Sequence, residues 1–143
     1  MRTYRFDEGS IQLASGFTDQ TVNTFSLPVS DSEIERQVIN VTIARDGKSE
    51  RADPAAYANE QLVVMARMLP DYELLHRQDI ELHGQSTVAI EYAWRPNGRE
   101  IRQRQTYLRL PTHFLVITLS FAPSQRGLAE VHWPGLLDSL RLS

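Results

Sequence analysis

Few residues in this chain are of types and spacings that do chemistry. The four histidines are His76, His83, His113 and His132. No two stand four apart, the spacing that turns two imidazoles toward one metal from a helix face. There is no cysteine, so thiolate nucleophiles, Cys-ligated zinc and disulfides are excluded together. Glu33/Glu35 and Asp79/Glu81 are carboxylate pairs two residues apart. Acid–base work needs a cleft that splits the pKa values of such a pair, and both pairs lie in stretches that read as solvated loop or strand. Arg99, Arg102 and Arg104 form a run that can grip phosphate, yet Glu100 interrupts it and no aromatic interleaves. Ser15 and Ser120 lack a nucleophile-elbow context, and no glycine-rich phosphate loop is present. The expectation is a protein that is not an enzyme and uses no metal or cofactor.

Two amides remain. Gln61 sits on an apolar helical stripe beside Met65, and Gln105 shares a strand face with Ile101. Buried polar groups are hydrogen-bonded. Such glutamines are therefore either paired internally or completed by the backbone of another molecule.

The elements that hold these residues follow from periodicity. Val88 to Trp94, Ile101 to Arg109 and His113 to Phe121 read as three strands of an antiparallel meander. Asn97-Gly98 supplies the first turn, since both tolerate positive φ, and Pro111 ends pairing before the third strand. In the middle strand Ile101, Gln103, Gln105 and Tyr107 point one way, and Arg102, Arg104, Thr106 and Leu108 the other. Neither set is a plain core face. Upstream, Tyr4 to Phe6 and Ser10 to Leu13 are short strands around Glu8-Gly9. Gln20 to Leu27 alternates, with Phe25 and Leu27 on the core side, and Pro28 stops it. Val29 to Arg36 reads as loop, and Gln37 to Arg45 as a strand rich in Val, Ile and Thr. Asp53-Pro54 is an N-cap followed by Pro at the first helical position. That helix runs to about Met68 and stops before Pro70. Its stripe is Tyr57, Gln61, Met65 and Met68 or Leu69. Tyr72 to Leu82 reads as a strand with Leu74, His76, Gln78 and Ile80 on one face. Ser124 to Gly127 reads as loop. Leu128 to Leu140 is a final helix, and Pro134 predicts that its regular part begins near Trp133.

The chain has 143 residues, 41% hydrophobic and 23% charged, which suits a single α+β domain spanning residues 1–143. A net charge of -3 offers no basic surplus for nucleic acid. The N-terminus has no apolar h-region and no run approaches a membrane span, so the expected location is the cytoplasm.

An ordered set of short motifs runs through nearly the whole chain. It comprises Tyr4-Arg5, Asp19 to Pro28, Arg45-Asp46, Tyr57, Gln61-Leu62, Leu69-Pro70, Ile80 to Gly84, Tyr92 with Trp94, Gly98-Arg99, Arg104-Gln105 and Ile117 to Leu119. The set resembles the effector-associated (Eag) chaperones of bacterial type VI secretion, within the DcrB-related group. The resemblance implies a fold like that of Mog1 and PsbP, a curved antiparallel β-sheet with flanking helices in an α/β/α sandwich. It implies a cytoplasmic homodimer that binds secreted toxins of the PAAR/Rhs type and shields their N-terminal transmembrane helices, without inserting into the membrane itself. Carried over by position, the client face falls on Val22, Thr24 and Thr42, on Gln61, Met65 and Leu69 of the helix, and on Ile101, Gln105 and Val116 of the meander. Thr24 and Thr42 stand where the family tends to have aliphatic residues. The alternative within the same fold is a Mog1-like regulator, non-enzymatic, that binds a globular protein.

Overall fold

A computed structural model describes residues 1–17, 20–28, 38–47 and 53–142. Within these residues the order is β1 (Arg2–Phe6), β2 (Gly9–Leu13), β3 (Val22–Pro28), β4 (Val38–Asp46), α1 (Pro54–Met68), β5 (Glu73–Leu82), β6 (Gln85–Trp94), β7 (Ile101–Arg109), β8 (Phe114–Phe121) and α2 (Arg126–Ser139). β1 and β2 form a hairpin of their own. The other strands form one antiparallel sheet in the order β3-β4-β8-β7-β6-β5. This is an α+β fold.

Local chemistry explains the joints. His83 and Gly84 both have positive φ, 54° and 78°, the mirror-image turn that matches the twist of a two-residue hairpin. Asp53 caps α1, its side chain accepting from the Ala55 N–H at 2.9 Å, and Pro54 takes the first turn. At the other end Leu69 is extended, as a residue before Pro must be.

Opposed residues of an antiparallel ladder share a face, so the registers divide the sheet. On one side Tyr57 and Ala58 of α1 pack against Val88, Ile90, Tyr92, Tyr107 and Phe114. The Tyr57 ring stacks on Phe114 at 4.2 Å and meets Tyr107 edge-on at 5.3 Å. On the other side Ala129 and Trp133 of α2 pack against Ile39, Ile117, Leu119 and Phe121. A helix therefore lies on each face. α1 crosses β6 and β7 while α2 lies against β8, so each covers only part of its face.

Three expectations are corrected, and one left open is settled. α2 begins at Arg126, directly after a 3-10 turn over Pro123–Gln125, and runs through Pro134. The stripe Ala129, Trp133, Leu136, Leu137 and Leu140 is packed on both sides of the proline, and that packing outweighs one missing N–H. A bulge between Leu74 and His76 puts these two on opposite faces of β5, since one extra residue reverses the alternation. Phe25 and Leu27 do share a face with Ile39 and Val41, yet both remain exposed because β3 is the sheet edge. Met68 is exposed, and the half-buried end of the helical stripe is Leu69. The loop read at Val29 to Arg36 lies outside the described residues.

Candidate binding face

The α1 side of the sheet is organised in rows that cross the strands, from the exposed β3 edge to the cluster buried under α1. One row runs Thr24, Thr42, Thr118, Gln105 and Ile90 through β3, β4, β8, β7 and β6. The next runs Ser26, Asn40, Ser120, Gln103 and Tyr92 over the same strands. A third begins Val22, Ala44, Val116 and Tyr107. Ile101 lies opposite Trp94 at the far end of β7. The floor thus sets two adjacent rows of hydroxyls and amides beside a more apolar one.

These polar side chains bond along their rows. Ser26 Oγ donates to Asn40 Oδ1 at 2.7 Å. Gln103 Nε2 donates to Ser120 Oγ at 2.7 Å, and its Oε1 accepts from Trp94 Nε1 at 3.0 Å. Gln105 Nε2 donates to Thr118 Oγ1 at 2.8 Å, and its Oε1 accepts from the Tyr107 hydroxyl. Each of these two amides has two N–H groups and spends one, so one remains without a protein partner among the described residues. Burial pushes the hydroxyls of Tyr107, Tyr92 and Tyr57 well above their usual pKa; the Asp46 carboxylate, which accepts from Tyr57 at 2.7 Å, adds to this at Tyr57. These phenols stay neutral donors.

One flank of α1 forms the wall. Met65 and Leu69 are half-buried against the Tyr57 cluster, which Val116 and Trp94 also touch. Gln61, one turn before Met65, is half-buried, and its side chain makes no hydrogen bond among the described residues. Of the residues expected on a client face, Val22, Thr24, Thr42, Gln105, Ile101 and Val116 share the α1 side of the sheet, and Gln61, Met65 and Leu69 belong to the helix that crosses it. Val22 stands on the sheet's edge strand and is exposed. The position-by-position transfer left out Thr118, Ser120, Asn40, Ser26 and Gln103. Alternation alone finds them, since each lies two residues from a member of the set or of its row.

Of the arginine run, Arg102 and Arg104 belong to the other face, and Arg99 lies in the turn before β7. Arg104 Nε pairs with Glu91 at 2.8 Å, and Arg102 Nε with Glu100 at 3.1 Å. Glu91, Arg102 and Arg104, with Arg126 and Glu130 of α2 (3.2 Å apart), border a cavity of about 640 Å³ whose wall includes Trp133. Charges that satisfy one another in this way are poorly placed to grip a phosphate. Among the described residues no group of three or more His, Asp or Glu comes together to hold a metal.

The pattern of the DcrB family matches residues 8–139. A curated protein named Effector EagT6, from Pseudomonas aeruginosa (strain PAO1), is 30% identical over 140 residues, covering 98% of this chain and 95% of its own length. The crystal structure of a Pseudomonas aeruginosa protein of unknown function, PA94, has the same fold at a TM-score of 0.83 and 28% identity, with 100% of this chain and 97% of that chain covered. The resemblance carried by the short motifs is thus the one that whole-chain similarity returns.

Proposed function

The chain belongs to the DcrB family, and on that footing we propose that it is a type VI secretion chaperone, cytoplasmic and dimeric, that binds the N-terminal transmembrane helices of a PAAR/Rhs-type toxin before secretion. The observation that carries this reading is the open α1 side of the sheet. There Val22, Val116 and Ile101 alternate with hydroxyls and half-satisfied amides beside the Gln61–Met65–Leu69 flank of α1. The relationship to Effector EagT6 supports a type VI secretion role, and the client class is what the Eag resemblance of the sequence implies.

Physical chemistry supports the match. A membrane helix in water exposes far more apolar surface than a soluble protein tolerates. Each side chain it buries is worth about 1.5–3 kcal/mol. Met65 adapts to varied shapes because its thioether chain is flexible. The spare amide N–H groups suit the backbone carbonyls of a helix that approaches closely, which small residues permit. A floor this rich in Thr, Ser and Gln favours clients with Gly, Ala or Ser on the facing side over uniformly Leu-rich ones. Among the described residues the chaperone itself has no helix long and apolar enough to cross a membrane.

The test is co-expression with the N-terminal region of the toxin. Wild type should keep the client soluble and co-purify with it. Met65→Asp should lose the client while circular dichroism shows a folded protein. A client equally soluble and unbound without this protein sinks the reading. The rival, a regulator of a globular partner, would use the charged cavity beside α2. In that case Arg104→Glu abolishes binding and Met65→Asp spares it.

A further inference from the structure

A second cavity lies where the β1–β2 hairpin meets the start of β3. Tyr4, Arg5, Asp7 and Glu8 of the hairpin border about 410 Å³ together with Thr21, Asn23 and Arg45. Asn23 and Arg45 alternate with Val22 and Ala44, so they stand on the α2 side of the sheet, opposite the client face. Residues of three short motifs far apart in sequence thus meet around one space.

Arg45 is the centre of it. Its Nη1 donates to Asn23 Oδ1 at 2.6 Å, to the Ile43 carbonyl at 3.2 Å and to the Thr21 carbonyl at 3.3 Å. Two N–H groups are shared among three oxygens, so this nitrogen has no donor left. The bonds tie the start of β3 to β4 and fix the guanidinium plane. Nε and Nη2 make no hydrogen bond among the described residues. Those two nitrogens form the edge that takes a carboxylate in two parallel bonds. A guanidinium locked by one nitrogen and unspent along that edge is preorganised for such a ligand.

The hairpin decides what must carry the carboxylate. Asp7 and Glu8 are exposed and make no ion pair among the described residues. They balance Arg5 and Arg45, two charges of each sign around the cavity. A free anion gains little from a space that already holds two carboxylates. A peptide brings N–H donors beside its carboxylate, and acceptor-only groups such as Asp7 and Glu8 suit them. Phe6, 43% exposed and stacked on Tyr4 at 6.3 Å, adds apolar surface at the rim.

We propose that this cavity binds an Asp or Glu side chain of a partner polypeptide. The carboxylate sits on the Nε/Nη2 edge of Arg45, and the neighbouring backbone N–H groups donate to Asp7 and Glu8. The site lies on the face opposite the client groove and stands or falls independently of the chaperone reading.

The test is an NMR titration of the ¹⁵N-labelled full chain with acetyl-Gly-Asp-Gly-amide, following the arginine Nε–H resonances. The Arg45 signal should move saturably. The Asn counterpart of the peptide should leave it in place. Sodium acetate and inorganic phosphate, which bring no peptide N–H, should bind about tenfold more weakly or worse. Arg45→Lys separates a binding role from a purely structural one. Its ammonium has three donors for the three oxygens but no fork. The urea midpoint should therefore hold while affinity for the Asp peptide drops about tenfold or more. Asp7→Asn combined with Glu8→Gln, at exposed turn positions, should narrow the peptide's advantage over acetate. Any of three results overturns the site: no saturable shift with the Asp peptide, acetate, phosphate or the Asn peptide bound as tightly, or unchanged peptide affinity in Arg45→Lys. If Arg45→Lys fails to fold, the Asp7/Glu8 double variant carries the test, and an unchanged preference for the peptide over acetate overturns the proposal.

Discussion

Gln105 serves two purposes at one position. Its carbonyl is the acceptor for the hydroxyl of Tyr107, a side chain with no exposed surface, and its amide bonds the buried Thr118 on the same side of the sheet. Gln105→Ala should therefore do more than blunt client capture. It leaves a buried hydroxyl without its acceptor, which costs about 1–3 kcal/mol, so the isolated protein should stay folded but melt at lower urea. Tyr107→Phe in the same background should recover part of that loss, because the orphaned group is gone. If the two losses simply add, the hydroxyl and the amide are not coupled and Gln105 acts on the client alone. The sequence left open whether the amides are paired within the protein or await a partner. Gln105 is paired and keeps one N–H, whereas Gln61 is unpaired among the described residues.

At the scale of elements, α2 shows how local and tertiary preferences compete. Pro134 cannot donate and sits badly in a helix interior, yet the Ala129–Trp133–Leu136–Leu137–Leu140 stripe carries the helix across it. Gly135 follows, in the same exposed turn, and an added Cβ there meets nothing within 4 Å. Gly135→Ala should stabilise the protein by about 0.5–1 kcal/mol by reducing the freedom of the unfolded chain, seen as a higher melting temperature by circular dichroism. Destabilisation would mean that this turn is occupied in the assembled protein. Strand alternation, the Asp53-Pro54 start and the Pro70 stop of α1 were all legible because each depends on neighbours in the chain. The bulge at Leu74/His76 was not, since it depends on how β5 meets β6.

For the whole molecule, the buried tyrosines predict a response to alkali. Tyr57, Tyr92 and Tyr107 have folded pKa values raised above the ordinary value of 10.0, chiefly by burial. Below about pH 10 each phenol is protonated in both states, and their burial contributes fully. As pH rises past that point the unfolded phenols ionise while the folded ones resist, so stability must fall. Tyrosinate absorbance from these three should therefore appear together with the loss of circular dichroism. Ionisation of all of them near pH 10 in a folded protein would contradict their burial.

Read alone, the chain argues against a metal or nucleophile site, announces an α+β fold and places Val22, Thr24, Ile101 and Gln105 on consistent strand faces. All of this follows from composition and short-range spacing. Which parts of those faces stay open was decided only in three dimensions. α1 crosses β6 and β7, α2 lies against β8, and β3 is left as an uncharged edge. These are matters of strand order and helix placement between segments far apart in sequence, and periodicity within one segment carries no information about them.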